Sequence, residues 1–180
     1  MKKLFNLLGA VAVSAMVLCP HMDVSAHEVT DDIPDVLYES YYQCNWNENP
    51  SSYEQLNQML ADTVCASLGL PHVTVAYCDD DPSLHHAYYE LGSDCIYVNR
   101  QVMYSAQYAF KAIAHELRHV YQYRHSQNPS CDMDYAYKNS FANYRSSDGD
   151  YDAYASQLVE SDAEAYANRL YLGLIASAHD

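Results

Sequence analysis

Positive charge is scarce in this chain: nine Lys and Arg stand against 24 Asp and Glu in 180 residues, a formal net charge of −15. So acidic a surface repels phosphate backbones, which excludes nucleic acid as a partner and leaves solubility or a cationic substrate as its use. No CxxC pair occurs among the six cysteines, so a cysteine-built zinc finger is excluded. Long apolar runs are missing after residue 26, and with them any second candidate membrane span. No internal repeat is visible, so a repeat architecture is excluded as well.

What is present begins with Met1-Lys2-Lys3, an apolar run from Leu4 to Leu18, and the small-residue stretch Val24-Ser25-Ala26. This is the pattern of an export signal cut after Ala26, leaving a secreted protein with no membrane span. An apolar run of about 15 residues is short for a span of about 20, so retention as an anchor is the weaker alternative. Lipidation at Cys19 is weaker still, because Val17-Leu18 offers no small residue ahead of it. Cleavage would remove Lys2, Lys3 and Asp23, turning nine basic and 24 acidic residues into seven and 23, a balance of −16. Five cysteines would remain, and an oxidising compartment suggests up to two disulfides; Cys78 and Cys95, which flank an expected hairpin, are the first choice for a bridge.

Residues 27–50 are polar, acidic and broken by Pro34 and Pro50, which predicts an extended lead-in. A single domain is expected over 51–180. Its first helix starts near Ser51, carries Leu56, Met59, Leu60, Val64 and Leu68 on one face, and ends at Gly69 and Pro71. Two strands follow, Val73–Tyr77 and Cys95–Asn99, both β-branched and aromatic. A central helix is expected from about Val102 to Arg124, a stretch without proline or glycine. The tyrosine-rich segment 130–150, with Ser146-Ser147-Asp148-Gly149, reads as a loop, and a last helix is expected from about Asp152 to Ala176. The fold class is therefore α+β.

The central helix contains His115-Glu116-Leu117-Arg118-His119. Histidines four apart project from one helix face with Cβ atoms about 5 to 6 Å apart, which suits two imidazoles on one tetrahedral metal. In an HExxH site the intervening glutamate is no ligand; Glu116 would be the general base that takes a proton from zinc-activated water and passes it to the leaving amine. The bland alternative is a pair of surface histidines. A third ligand must come from elsewhere, and His125, Glu160, Asp162 and Glu164 are the candidates. His85-His86 could also bind metal, but their acidic, turn-rich surroundings point to a solvated loop.

The string Ala112-Ile113-Ala114-His115-Glu116-Leu117-Arg118-His119-Val120-Tyr121-Gln122, with Glu160-Ser161-Asp162-Ala163-Glu164-Ala165-Tyr166-Ala167 downstream, resembles the small gluzincin-type zincin domains. In that family HExxHxxQ on one helix is joined by a glutamate from an E-x-x-A-x-x-[FY]-A segment on the next long helix. The resemblance spans about residues 51–175 and implies one zinc ion held by His115, His119 and Glu160. It leaves Asp162 and Glu164 as groups around the ligands, and Tyr154 or Tyr166 as a donor to a tetrahedral oxyanion. It further implies a small antiparallel or mixed sheet packed on the active-site helix and the C-terminal ligand-bearing helix, with Ile96-Tyr97-Val98-Asn99 as the edge strand that binds substrate backbone. The expectation is a secreted zinc metallopeptidase acting on a peptide or protein. The alternatives are a non-catalytic binding protein on the same scaffold, or a toxin or effector that cleaves one chosen protein.

Overall fold

In the computed structural model, residues 33–44, 50–79, 86–100, 105–147 and 149–177 are described. The expected signal peptide with Cys19, and His85 of the histidine pair, lie outside them. Six helices and one small sheet make a mixed α+β fold, mostly helical: α1 Asp35–Gln43, α2 Pro50–Ser67, β1 Thr74–Cys78, β2 Ala87–Tyr89, β3 Cys95–Asn99, α3 Ala106–Gln127, α4 Asp132–Ala142, α5 Tyr151–Ala155 and α6 Leu158–Ser177.

The central helix α3 organises everything else. Ser105 caps it, its hydroxyl accepting from the Tyr108 amide at 3.3 Å. Arg124 and His125 lie in its last turn, where cations complement the helix dipole. Ala109, Phe110, Ile113, Ala114, Leu117 and Val120 are fully buried along its length, and α6, α4, α2 and β2 all pack on it. From Ala112 to Gln122 every side chain of this helix is buried, so the polar groups there must find partners inside the protein.

The sheet has the order β1-β3-β2. β1 runs parallel to β3 with Thr74 opposite Cys95 and Cys78 opposite Asn99, while β2 is antiparallel to β3 with Ala87 opposite Val98 and Tyr89 opposite Ile96. Two expectations fail on this topology. The strand Ile96–Asn99 is central, paired on both sides, so it offers no edge to a substrate; the segment read as a polar turn contains β2, which takes the outer place. The bridge between Cys78 and Cys95 fails because β1 and β3 are parallel instead of forming a hairpin. Cys78 faces Asn99, four positions along β3 from Cys95, which is roughly 13 Å at about 3.3 Å per residue against the ~7 Å limit for a disulfide. All five described cysteines stand as thiols.

Three further expectations are corrected. The lead-in is not merely extended: it holds α1, whose Leu37, Tyr38 and Tyr41 are buried in the core. The Tyr41 ring meets Phe110 of α3 edge-on at 5.4 Å, and its hydroxyl donates to the Asn57 side chain at 2.6 Å. The segment 130–150 carries α4, begun at Cys131 by a capping box in which the buried Asp134 carboxylate accepts from the amides of Ser130 and Cys131 at 2.7 and 3.3 Å. The last helix is two, α5 and α6, broken at Ser156 and Gln157. The break frees the Gln157 side chain to bind the Arg145 backbone on both sides, accepting from its amide at 2.7 Å and donating to its carbonyl at 2.9 Å. That clasp ties Gln157, immediately before α6, back to Arg145.

Candidate metal centre

His115 and His119 lie one turn apart on α3, and Glu160 lies in the first turn of α6, the helix packed most extensively on α3. The Nε2 atoms of the two histidines approach to 3.0 Å. Glu160 Oε2 is 3.4 Å from His115 Nε2, and Oε1 is 3.5 Å from His119 Nε2. The three candidate ligand atoms lie within 4.8 Å of one another, and among the described residues no other such group occurs. His119 is 0% exposed, Glu116 1%, Glu160 3% and His115 6%, which removes the reading of two surface histidines.

The hydrogen bonds around the histidines fit a metal ion. Gln122, one turn after His119, donates through its amide nitrogen to the Val159 carbonyl at 3.0 Å and to Asp162 at 2.7 Å. Its carbonyl oxygen is thereby left to accept from His119 Nδ1 at 2.8 Å. Nδ1 is then the nitrogen carrying hydrogen, and Nε2 is turned to the centre as a ligand, the usual outer-shell arrangement of a metal-binding imidazole. On His115 the second nitrogen, Nδ1, faces Glu164 at 3.7 Å, and Lys111 Nζ holds the other oxygen of Glu164 at 3.1 Å. Two neutralisable imidazoles and one carboxylate are a donor set suited to a divalent metal; the far nitrogen of His119 is hydrogen-bonded, while that of His115 is buried without a hydrogen-bond partner, 3.7 Å from Glu164.

Electrostatics make the group a proton trap when no cation fills it. Burial alone would drive the proton off His115, but the carboxylates of Glu160 and Glu164 and the charge of Glu116 hold it on, so its pKa stands well above the ordinary imidazole value. Burial likewise opposes ionisation of Glu160, and the two imidazoles outweigh it, keeping its carboxyl well below the usual carboxylate range. A cation between these groups would replace that proton in kind, so uptake of metal means release of a proton.

Beneath the ligands lies a second polar cluster. Burial works against the Asp162 charge, but Arg118 outweighs it with bonds of 2.9 and 3.2 Å and lowers its pKa; the Tyr137 hydroxyl adds a third at 3.0 Å. The Arg118 guanidinium in turn stacks on Tyr121 at 4.6 Å and Tyr166 at 5.2 Å. Asp162 therefore braces α3, α4 and α6 instead of serving as a ligand.

The remaining candidates are distributed as follows. Tyr166 is buried, with its ring beside the guanidinium groups of Arg118 and Arg169. Tyr154 comes to Glu160, its hydroxyl donating to Oε2 at 2.6 Å. His125 is not part of the group: its ring packs on Tyr121 at 4.2 Å and its Nδ1 lies 3.2 Å from Asp134. His86 stacks flat on Tyr108 at 5.8 Å. Reading the sequence missed Tyr144, whose hydroxyl donates to Glu160 Oε1 at 2.8 Å. Nothing in the 130–150 segment singles it out among its neighbouring tyrosines. Arg118 and Gln122 carried a signal, since three- and four-residue spacings on a helix make neighbours, but only the packing of α6 shows what they hold.

Glu116 lies beside the ligands as well. It follows His115 in sequence and is buried; burial first and the Glu160 charge next raise the pKa of Tyr144 and Tyr154, the Glu116 charge adds to both, and it helps to hold the proton on His115. A second carboxylate is thus placed next to the metal group without being one of its three donors.

No protein-family model, curated protein sequence or solved structure matches this chain. The chain folds as a mixed α+β protein with, among the described residues, one buried His115–His119–Glu160 group able to hold a metal ion.

Proposed function

We propose that the protein is a zinc-dependent peptidase of zincin type, secreted, acting on peptide or protein bonds. The observation that carries this reading is the juxtaposition of a buried three-donor metal group with a fourth, non-ligand carboxylate, Glu116, at its border. Zinc in such a group supplies acidified water and a polarised carbonyl. His115, His119 and Glu160 would hold it, with Gln122 fixing the His119 ring and Glu164 standing behind His115. Glu116 would accept the proton from the attacking water and deliver it to the departing amine. The Tyr154 hydroxyl stands beside the same group, with its one hydrogen given to Glu160 Oε2. The edges at which a substrate strand could add are β1 and β2, not β3, since β3 is paired on both sides.

The test is Glu116→Gln. Zinc stoichiometry should stay at one while cleavage of a mixed peptide library falls by a factor of about 10³ or more, the scale expected from losing a general base and its electrostatic support. Undiminished cleavage removes the mechanism. One observation favours a second reading, a metal-holding protein without turnover: all four central residues are nearly inaccessible under Tyr144 and Tyr154. Digestion of the library by the wild-type protein with and without chelator separates the two, because a non-catalytic protein leaves the library intact in both. A toxin or effector cleaving one chosen protein would share every residue of this chemistry and differ only in substrate.

A further inference from the structure

Glu160 is held from both sides by groups outside the metal-ligand set. Oε1 lies between His119 Nε2 at 3.5 Å and the Tyr144 hydroxyl at 2.8 Å; Oε2 lies between His115 Nε2 at 3.4 Å and the Tyr154 hydroxyl at 2.6 Å. Each carboxylate oxygen therefore has one imidazole and one phenol. The two phenol rings meet edge to face, 6.2 Å apart and at 90°. Tyr144 stands immediately before Arg145, and Tyr154 lies on α5 three residues before Gln157, the residue that clasps Arg145. Neither tyrosine sits on a ligand-bearing helix.

From this geometry we infer that Tyr144 and Tyr154 are positioning residues for the third metal ligand: a two-phenol clamp that fixes the Glu160 carboxylate in one orientation, facing the two imidazoles. The inference rests on the reading of His115, His119 and Glu160 as a metal site. The physical reason lies in the lone pairs. Each carboxylate oxygen has two, and a short phenol hydrogen bond takes one of them on each oxygen, which fixes the plane of the carboxylate and leaves the others to the centre. So oriented, Glu160 would complete with His115 and His119 the three protein donors of a tetrahedral site with one position open. Without the hydroxyls the carboxylate is free to rotate, and its place beside the imidazoles is no longer fixed.

The experiment is cobalt substitution of the full chain as wild type, Tyr144→Phe, Tyr154→Phe and the double variant, with surface-exposed Tyr135→Phe as control. Tetrahedral cobalt absorbs strongly in the visible and five-coordinate cobalt weakly, so the spectrum reports ligand mode independently of any turnover. We expect an intense tetrahedral spectrum for wild type and Tyr135→Phe. Each single clamp variant should lose intensity and bind zinc about tenfold more weakly, as loss of an outer-shell partner does in other metal sites, and the double variant more so. Far-UV circular dichroism checks folding; should Tyr154→Phe fail to fold, Tyr144→Phe, in the loop, carries the test alone. Clamp variants with wild-type spectrum and wild-type zinc affinity overturn the clamp and leave the metal site standing. A wild-type protein that binds neither cobalt nor zinc at one equivalent overturns both.

Discussion

At the scale of single residues, the centre depends on side chains that touch no ligand atom except through a hydrogen bond. Gln122 is the clearest. Its carbonyl fixes the His119 ring and its amide nitrogen reaches Val159 and Asp162 on the facing helix. Gln122→Ala should weaken zinc binding by roughly 10- to 100-fold, measured by chelator competition. Gln122→Glu should not rescue it: a carboxylate can still accept from Nδ1, but its second oxygen would face the Val159 carbonyl and the Asp162 carboxylate, to which Gln122 donates. Arg118 and Asp162 form the other such pair. Arg118 is almost fully buried, so Asp162→Asn leaves a cation without its counter-charge and should cost about 3 kcal/mol in denaturant unfolding at neutral pH. The pH dependence follows from the lowered Asp162 pKa. A carboxyl depressed in the folded state contributes stability above its unfolded value of about 3.9, and that contribution disappears as pH falls through the folded value. The gap between wild type and Asp162→Asn, measured on metal-free protein, should therefore shrink as pH drops below about 4. A gap that widens on acidification would contradict the assignment.

At the scale of elements, close approach between helices sets the next prediction. Gly173 lies on α6 where α1 crosses it, and a Cβ there would stand 2.7 Å from the Tyr38 hydroxyl, which itself donates to the Leu170 carbonyl. Alanine is the better helix former by about 1 kcal/mol, yet the buried phenol must be displaced to admit it. Gly173→Ala should therefore lower the melting temperature, and adding Tyr38→Phe should recover most of the loss; a stabilised single variant would show that α1 yields easily. The same element marks a limit of sequence reading. Helix α3 was legible because its apolar periodicity is long and uninterrupted, and α2 because glycine and proline follow it. Helix α1 was not: its nine residues include three tyrosines, whose hydroxyls make the segment read as polar although Tyr38 and Tyr41 are buried. Helix α4 was hidden in the same way, and β2 is too short at three residues to declare itself. Strand direction was beyond reach too. Whether two apolar strands run parallel or antiparallel depends on what intervenes, and the intervening β2 reversed the expectation and separated Cys78 from Cys95.

At the scale of the whole molecule, the metal group joins the two longest helices, so metal binding and folding are linked. Zinc at about a thousand times its dissociation constant should stabilise the fold by about 4 kcal/mol, a rise in melting temperature on the order of 10 °C. Scanning calorimetry with and without chelator measures it, and identical transitions would mean no ion is held. The donor triad itself was largely legible. HELRH fixes two ligands by helix geometry, and Glu160 emerged by resemblance to a familiar downstream segment. What local sequence does not encode is the surroundings of the triad, because Tyr144, Tyr154 and Asp162 meet it only through the folding of α5 and α6 onto α3.

The side-chain amide of Gln122 has one end on the His119 imidazole and the other on the carbonyl of Val159, the residue immediately before Glu160. A single planar group thus rivets the second donor to the backbone bearing the third. Prying α6 away from α3 would tear both from the centre together, so the site comes apart as one piece or not at all. Backbone amides near Val159 and His119 should then exchange with solvent at a common rate, slowed alike when the centre is filled.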